Sequence, residues 1–299
     1  VSSSVTKLAL LADVSGNVTS LSDIHLNADI RHIGGLNILP QQFRNASLAG
    51  RIRLDLPRWR RDVLEGSLEL SDVSLHGWKE DYELSHLLLS AIPTGGDEGK
   101  LTLRSDFADI DMEGPLKPAL LVDVAKETGL RAIGLQGNTG NRERWAGKEW
   151  RIDGNIARLD ELRQILGVPI YMQAPLTLSG NMRADGGRMA LTSYVKQISV
   201  GSFSLKDARI YLKGLGDSIS VLAQATKEMA SQDIRIAAGI SAKEGNISAN
   251  VKWAGNGTEL LHGALQTRAK LNDIAGNKIL VGKFIPSEIV IGDTIWRVA

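Results

Sequence analysis

Five histidines, His25, His32, His76, His86 and His262, are the first residues to ask for chemistry, and their spacing offers none. No two stand four apart, the separation that puts a zinc-binding pair on one helix face, and none adjoins an Asp/Glu cluster. Serine is abundant, yet no Gly-x-Ser-x-Gly elbow links a strand to a helix to expose a nucleophile. Gly134-Leu-Gln-Gly137-Asn-Thr-Gly140 holds loop glycines without the spacing that cradles a dinucleotide, and no buried parallel strand precedes it. Asp109 with Asp111, and Asp160 with Glu161, are carboxylate pairs of the kind glycosidases and calcium sites use, but here they read as a solvated face and a helix cap. Asn17, Asn45, Asn246 and Asn256 each start an Asn-x-Ser/Thr triplet, which a chain rich in these residues produces by chance. With no Cys, thiolate metal sites and disulfides are removed as well. The expectation is a protein that is not an enzyme and holds no metal or cofactor.

What remains is the alternation of apolar and polar residues, and the elements it implies. Short period-two runs fill the first half at 24–30, 48–56, 64–70, 73–75, 84–89 and 101–105, with Pro57 ending one of them because proline cannot donate to a ladder. Residues 93–99 are expected to form a turn. The second half repeats the pattern at 176–182 and 189–195 across Gly186-Gly187, then at 198–212, at 234–240 and 247–253 across a turn at 243–246, at 265–271 and at 284–298. Residues 218–230 fit either period and are read as strand. Helical spacing occurs twice. Leu120, Leu121, Val124, Ala125 and Thr128 predict a helix over 118–130 stopped by Gly129. Asp160 as N-cap, with Leu162, Ile165 and Leu166 on one face and Gly167 beyond, predicts another over 160–166.

Roughly twenty strands against two short helices is far above the usual ~20–25% strand. The chain divides on this reading into a first β module, 1–134, ending in the helix at about 118–130, a loop or boundary at 135–149, and a second β module, 150–299. Lys+Arg 35 against Asp+Glu 34 leaves a net charge of +1, so no electrostatic footprint for nucleic acid is present. No apolar run approaches the ~20 residues of a membrane-spanning helix. The opening Val1-Ser-Ser-Ser, with neither an initiator Met nor a signal-peptide pattern, suggests a piece of a longer chain.

Leu159-Asp-Glu-Leu-Arg-Gln-Ile-Leu-Gly-Val-Pro169, then Pro175-Leu-Thr-Leu-Ser-Gly180 and Val200-Gly-Ser-Phe-Ser-Leu205, resemble the recurring unit of AsmA-like proteins. Leu101-Thr-Leu-Arg-Ser-Asp-Phe107-Ala-Asp-Ile110-Asp-Met-Glu-Gly114 and Pro286-Ser-Glu-Ile-Val-Ile-Gly-Asp293-Thr-Ile-Trp296-Arg-Val298 are similar to TamB proteins of the Bacteroidetes type. The resemblance implies a fragment of an inner-membrane-anchored protein crossing the periplasm, its long antiparallel sheet rolled into an open β-taco. The second module would be AsmA-like and truncated at its C-terminal end. The implied partners are phospholipid acyl chains, neighbouring repeats of the parent chain and, through the parent, an Omp85-type outer-membrane barrel. The implied function is non-enzymatic conduction of phospholipid between the two membranes in support of outer-membrane biogenesis.

The residues themselves supply a physical basis for that function. An acyl chain needs a continuous dry surface, and ~0.8 kcal/mol per buried CH₂ gives about 10 kcal/mol for some sixteen carbons without any polar contact. The expected lining is Leu176, Leu178, Met182, Met189, Leu191, Val195, Val200, Leu205, Ile210, Ile234, Ile236, Ile240, Ile247 and Val251. The helix at 160–166 would interrupt conduction if it plugged one end. Two other readings stand beside this one. One is a structural or chaperone-like module that pairs its edge strands with nascent outer-membrane proteins. The other is a secreted β-sandwich adhesin, which six Trp, four Tyr and four Phe disfavour as a sugar-binding platform.

Overall fold

The computed structural model describes residues 7–17, 20–34, 47–57, 63–76, 81–135, 147–157, 170–172, 175–184, 187–200, 203–230, 232–257, 261–274 and 277–298. Among them the chain is all-β, with nineteen strands assigned to one antiparallel sheet and a single helix. The strands of the first half are β1 (Lys7–Asn17), β2 (Ser20–Gly34), β3 (Ser47–Leu56), β4 (Gly66–His76), β5 (Tyr82–Gly95), β6 (Glu98–Ser105) and β7 (Ala108–Pro115). After α1 (Pro118–Ala132) come β8 (Glu149–Ile156), β9 (Ile170–Met172), β10 (Leu176–Arg183), β11 (Arg188–Val200), β12 (Phe203–Leu215) and β13 (Ser218–Glu228). The chain continues through β14 (Asp233–Lys243), β15 (Asn246–Gly255), β16 (Leu261–Ile274), β17 (Asn277–Ile285), β18 (Ser287–Ile291) and β19 (Thr294–Val298). The second expected helix, 160–166, lies outside the described residues.

Backbone contacts divide the chain into two compact units, Val1–Pro118 with Gly154–Val168 and Ala119–Asp153 with Pro169–Ala299. This differs from a border at 135–149. From Ala119 onward α1 belongs with the second unit, and β8 gives its first half to the second unit and its last residues to the first.

Hairpins are tight because their turns carry the right residues. Gly96-Asp97, Gly216-Asp217 and Gly292-Asp293 each place a glycine with φ of 57° to 63° first in a two-residue turn, the backbone of a type II′ connection that matches strand twist. The turn between β5 and β6 is therefore shorter than the expected 93–99, leaving only Gly96 and Asp97 between the strands. Between β14 and β15, Glu244 (φ 47°) and Gly245 (φ 81°) are both left-handed, as a type I′ turn requires. Two strand rows are broken at proline. Strands β9 and β10 follow one another along β11 with Pro175 between them, and β17 and β18 follow one another along β16 with Pro286 at the break.

In the first unit, cross-strand partners sort the side chains cleanly. Leu26 pairs with Leu54, which pairs with Leu68, which pairs with Leu89, which pairs with Leu103, which pairs with Ile110. Directly opposed residues share a face, so this row is apolar throughout. Its neighbours on the other face include Arg53, Glu69, Arg104 and Asp109. The apolar side condenses into a core of Leu84, Phe107 and Ala108, with Leu70, Val73, Leu87, Leu103, Ile110 and Ile156 packed against it. A bulge at Gly50 and Asp72 (φ 53°) shifts the β3–β4 register, and Arg51 pairs with Asp72 there.

The charged face holds a titratable cluster with a definite sign. At Asp111 partial burial pushes the carboxyl up, but hydrogen bonding from Arg104 Nη2 at 2.7 Å, its positive charge and Lys100 Nζ at 3.5 Å outweigh burial and hold it below the ordinary aspartate range. A depressed carboxylate contributes stability that is complete above its unfolded value and is lost as pH falls through the folded one. NMR titration is expected to place the Asp111 midpoint below the ~3.9 of an unperturbed aspartate, and Arg104→Gln should move it upward.

Helix α1 runs to Ala132 and is closed at Gly134, not stopped by Gly129. Gly134 is left-handed (φ 76°), its N–H donates to Arg131 O at 2.9 Å, and the Leu135 N–H donates to Leu130 O at 2.9 Å. These two bonds are the Schellman closure, which needs a residue without Cβ one position past the helix. Gly129 has open space around it and sits inside the helix. The buried stripe is Val124, Glu127, Thr128 and Ala132, whereas Ala125, expected on the apolar face, is exposed.

Candidate functional site

Period two and the registers of β10 to β16 define one face of the second unit. Met182 opposes Met189, Leu178 opposes Ser193 and Leu176 opposes Val195. Leu191 opposes Leu212, and Ser193 opposes Ile210. The row through Leu212 continues to Val221, Ile240, Ala249 and Thr267, and the row through Ile210 continues to Ala223, Ala238, Val251 and Leu265. A third row joins Gly214, Ile219, Ala242, Ile247 and Ala269, and a fourth joins Ile236, Trp253 and Gly263. Ser193 and Thr267 are the polar members of these rows, and none carries a charge. Lys227, opposite Ile234, marks the rim, with its Nζ 4.4 Å from the centre of the Phe203 ring. The other face of the same strands carries Arg209, Lys213, Arg235, Lys243, Lys252, Arg268 and Lys270.

Thirteen of the fourteen expected lining residues therefore share this face: Leu176, Leu178, Met182, Met189, Leu191, Val195, Leu205, Ile210, Ile234, Ile236, Ile240, Ile247 and Val251. Leu205 belongs to the same face: its neighbour Lys206 opposes Thr226, which opposes Arg235 on the charged side, so Leu205 itself stands on the apolar one. Val200 opposes Phe203 in the register. A bulge at Asp207 (φ 51°), where the β12–β13 register slips, resets the alternation between Leu205 and Ile210, so that these residues five apart share a face. Sequence reasoning passed over Leu212, Val221, Trp253 and Leu265. Their signal was the same alternation, masked in 218–230 by a competing helical period and at Trp253 by attention to branched aliphatics. It also passed over the apolar row of the first unit, which follows the same rule.

The face is covered at one end and open in the middle. Helix α1 lies across the turns of three hairpins. Thr128 approaches Gly187 and Gly214 so closely that a Cβ on either glycine would come within 3.1 or 3.3 Å of it, and the Gly245 N–H donates to Ala132 O at 3.2 Å. Met182 and Ala242 are buried at that end and Ile234 is buried at the other. Between them Ile210 is 44%, Ile240 55% and Val251 39% exposed, although each sits mid-strand with partners on both sides. The exposed apolar surface continues onto the last strands, where Phe284 opposes Thr267 and Trp296 opposes Ile289. Gly263 fixes one detail of this surface. A Cβ there would come within 2.4 Å of the Trp253 ring, so the indole lies flat across the sheet only because residue 263 has no side chain.

Chemically this surface can do one thing, which is to cover apolar matter. No group of three or more His, Asp or Glu able to hold a metal occurs among the described residues, and no helix among them is long and apolar enough to cross a membrane. Comparison with protein-family models, curated proteins and solved structures returns no match to this chain.

Proposed function

We propose that the chain binds lipid acyl chains along this face and conducts phospholipid without chemistry, as part of a TamB-like, inner-membrane-anchored periplasmic bridge between the two membranes. The observation that carries the proposal is Ile240, which stands mid-strand on a charge-free face and is 55% exposed. Soluble proteins rarely leave a contiguous apolar patch open, and such patches mark binding surfaces. An acyl chain fits the requirement because it needs continuity and dryness and no directional partner. The family resemblance of residues 159–205 and 286–298 adds the periplasmic setting, the neighbouring repeats and the Omp85-type barrel partner of the parent protein.

A photo-crosslinking residue tests the proposal directly. Placed at 240 it should capture lipid in cells that make the protein, and placed at 241, on the opposite face, it should capture none. Equal capture at both positions would defeat the reading. The rival function, strand addition to outer-membrane proteins, draws on one observation. Strand β17 exposes Ile279, Leu280, Val281 and Phe284, and its one long ladder is with β16. Under that function crosslinks would run to protein from β17 and residue 240 would be silent.

A further inference from the structure

The second unit contains a hollow lined mostly by residues of the charged face, with Ile236 and Trp253 of the adjoining rows also contributing. About 1060 Å³ in volume, it spans β12 to β16 and is bounded by β18. Its floor is low because Ala237, Ala254 and Ala264 occupy successive positions on that face, where the surrounding residues are long. The registers place cations around these alanines in a checkerboard. Ala237 lies opposite Lys252, with Arg235 two residues away on its own strand. Ala254 lies opposite Arg235 and His262, with Lys252 two residues away on its own strand. Both depressions thus share Arg235 and Lys252, and Arg209 stands at the margin above the Tyr194 ring, 5.5 Å from its centre.

Two carboxylates also line the hollow, and both are engaged elsewhere. Asp207 accepts a hydrogen bond from Tyr194 Oη at 2.9 Å, and Glu288 pairs with Arg297 Nε at 3.1 Å. The hydrogen bond to Asp207, together with that carboxylate's charge, holds the Tyr194 phenol above its ordinary range, so the donor stays protonated. Among the described residues Arg235 and Lys252 form no ion pair. Arg235 and Lys252, diagonal neighbours in the β14–β15 ladder beside the alanine floor, with Arg209 also lining the hollow, supply the positive charge a doubly charged oxyanion needs, and arginine can bind such a group through two parallel N–H donors.

From this arrangement we infer that the hollow is a binding site for a phosphate-bearing ligand, held between Arg235 and Lys252 with Arg209 and His262 at its margins. The site lies on the face opposite Ile240, so it stands or falls apart from the lipid reading. A phosphate ester could reach it as a soluble molecule or as the headgroup of an anionic membrane, and the two sources are separable. Calorimetric titration of the whole chain with pyrophosphate at low salt should show saturable binding. Binding should weaken at least tenfold in Arg235→Gln/Lys252→Gln and should be suppressed by added salt. Both positions are exposed, so an unchanged thermal midpoint will show that the variant remains folded. If it does not, the single variants Arg235→Gln and Lys252→Gln replace it, each expected to weaken binding severalfold.

Flotation with vesicles containing phosphatidic acid, set against vesicles of phosphatidylcholine alone, distinguishes the sources. Variant-sensitive flotation with the acidic vesicles assigns a headgroup, and pyrophosphate binding without flotation assigns a soluble ester. Absence of both, or binding that the substitutions leave unchanged, overturns the inference.

Discussion

Ile240→Asp is expected to strip lipid from the protein while leaving it folded. The side chain is 55% exposed, so truncating it forfeits only part of an isoleucine's burial, about 1 kcal/mol. In the lipid-free state the new carboxylate stands in water and costs little more. With an acyl chain laid over the row, the same carboxylate must be desolvated without a partner, because its immediate neighbours on that face, Val221, Ala238, Ala242, Ile247, Ala249 and Val251, are all apolar. That penalty is several kcal/mol, and ~3 kcal/mol already corresponds to more than a hundredfold loss of affinity. Ala242→Asp is the matched control. Ala242 is 5% exposed on the same strand and face, opposite Ile219 and Ile247, so its carboxylate would be buried unpartnered in the folded protein itself and should unfold the second unit. Thermal melts and lipid-to-protein ratios on both variants measure the contrast. An Ile240→Asp protein that keeps its lipid would show that the face is not the binding surface.

Arg131→Met should be the most destabilising single change on α1. Glu127 is 6% exposed and is paired with Arg131 one turn later. Removing the guanidinium strands a buried carboxylate, which typically costs 3–5 kcal/mol, and the lower end of that range, about 3, is expected because Arg131 keeps some contact with water. The double change Glu127→Leu/Arg131→Met removes the orphaned charge and should recover most of the loss. Denaturant midpoints of the three proteins provide the test, and a double variant as unstable as the single one would mean that the pair is not what holds α1 down. Since α1 lies over the turns carrying Gly187, Gly214 and Gly245, its loosening should also expose Met182 and Ala242 at the covered end of the face.

Most of the sheet was legible because period two is a direct imprint of pleating. Leu176, Leu178 and Met182 share a face with Met189, Leu191 and Val195, and alternation alone placed them there. Alternation alone does not carry across a backbone irregularity. Leu205 and Ile210, five apart, share a face only because of a bulge at Asp207, an aspartate held at positive φ that no composition rule announces. The helix expected over 118–130 runs to Ala132, because Gly129 and Gly134 look alike in sequence and only the Schellman hydrogen bonds tell them apart. The division into units was illegible for a different reason. Helix α1 follows the first run of strands in the chain but packs Thr128 against Gly187 and Gly214 of the second unit, a choice made by tertiary packing. The hollow between Arg235 and Lys252 was equally hidden, since residues seventeen apart in sequence become neighbours only through the β14–β15 register.

The account rests on the apolar face being a lipid surface, and that is measurable on the purified protein. Mass spectrometry of an organic extract, from protein made in a lipid-bearing host, should find phospholipid at near-stoichiometric amounts in the native chain and little in Ile240→Asp. A native chain free of lipid, with Ile240 as exposed in solution as in the structure, would contradict it.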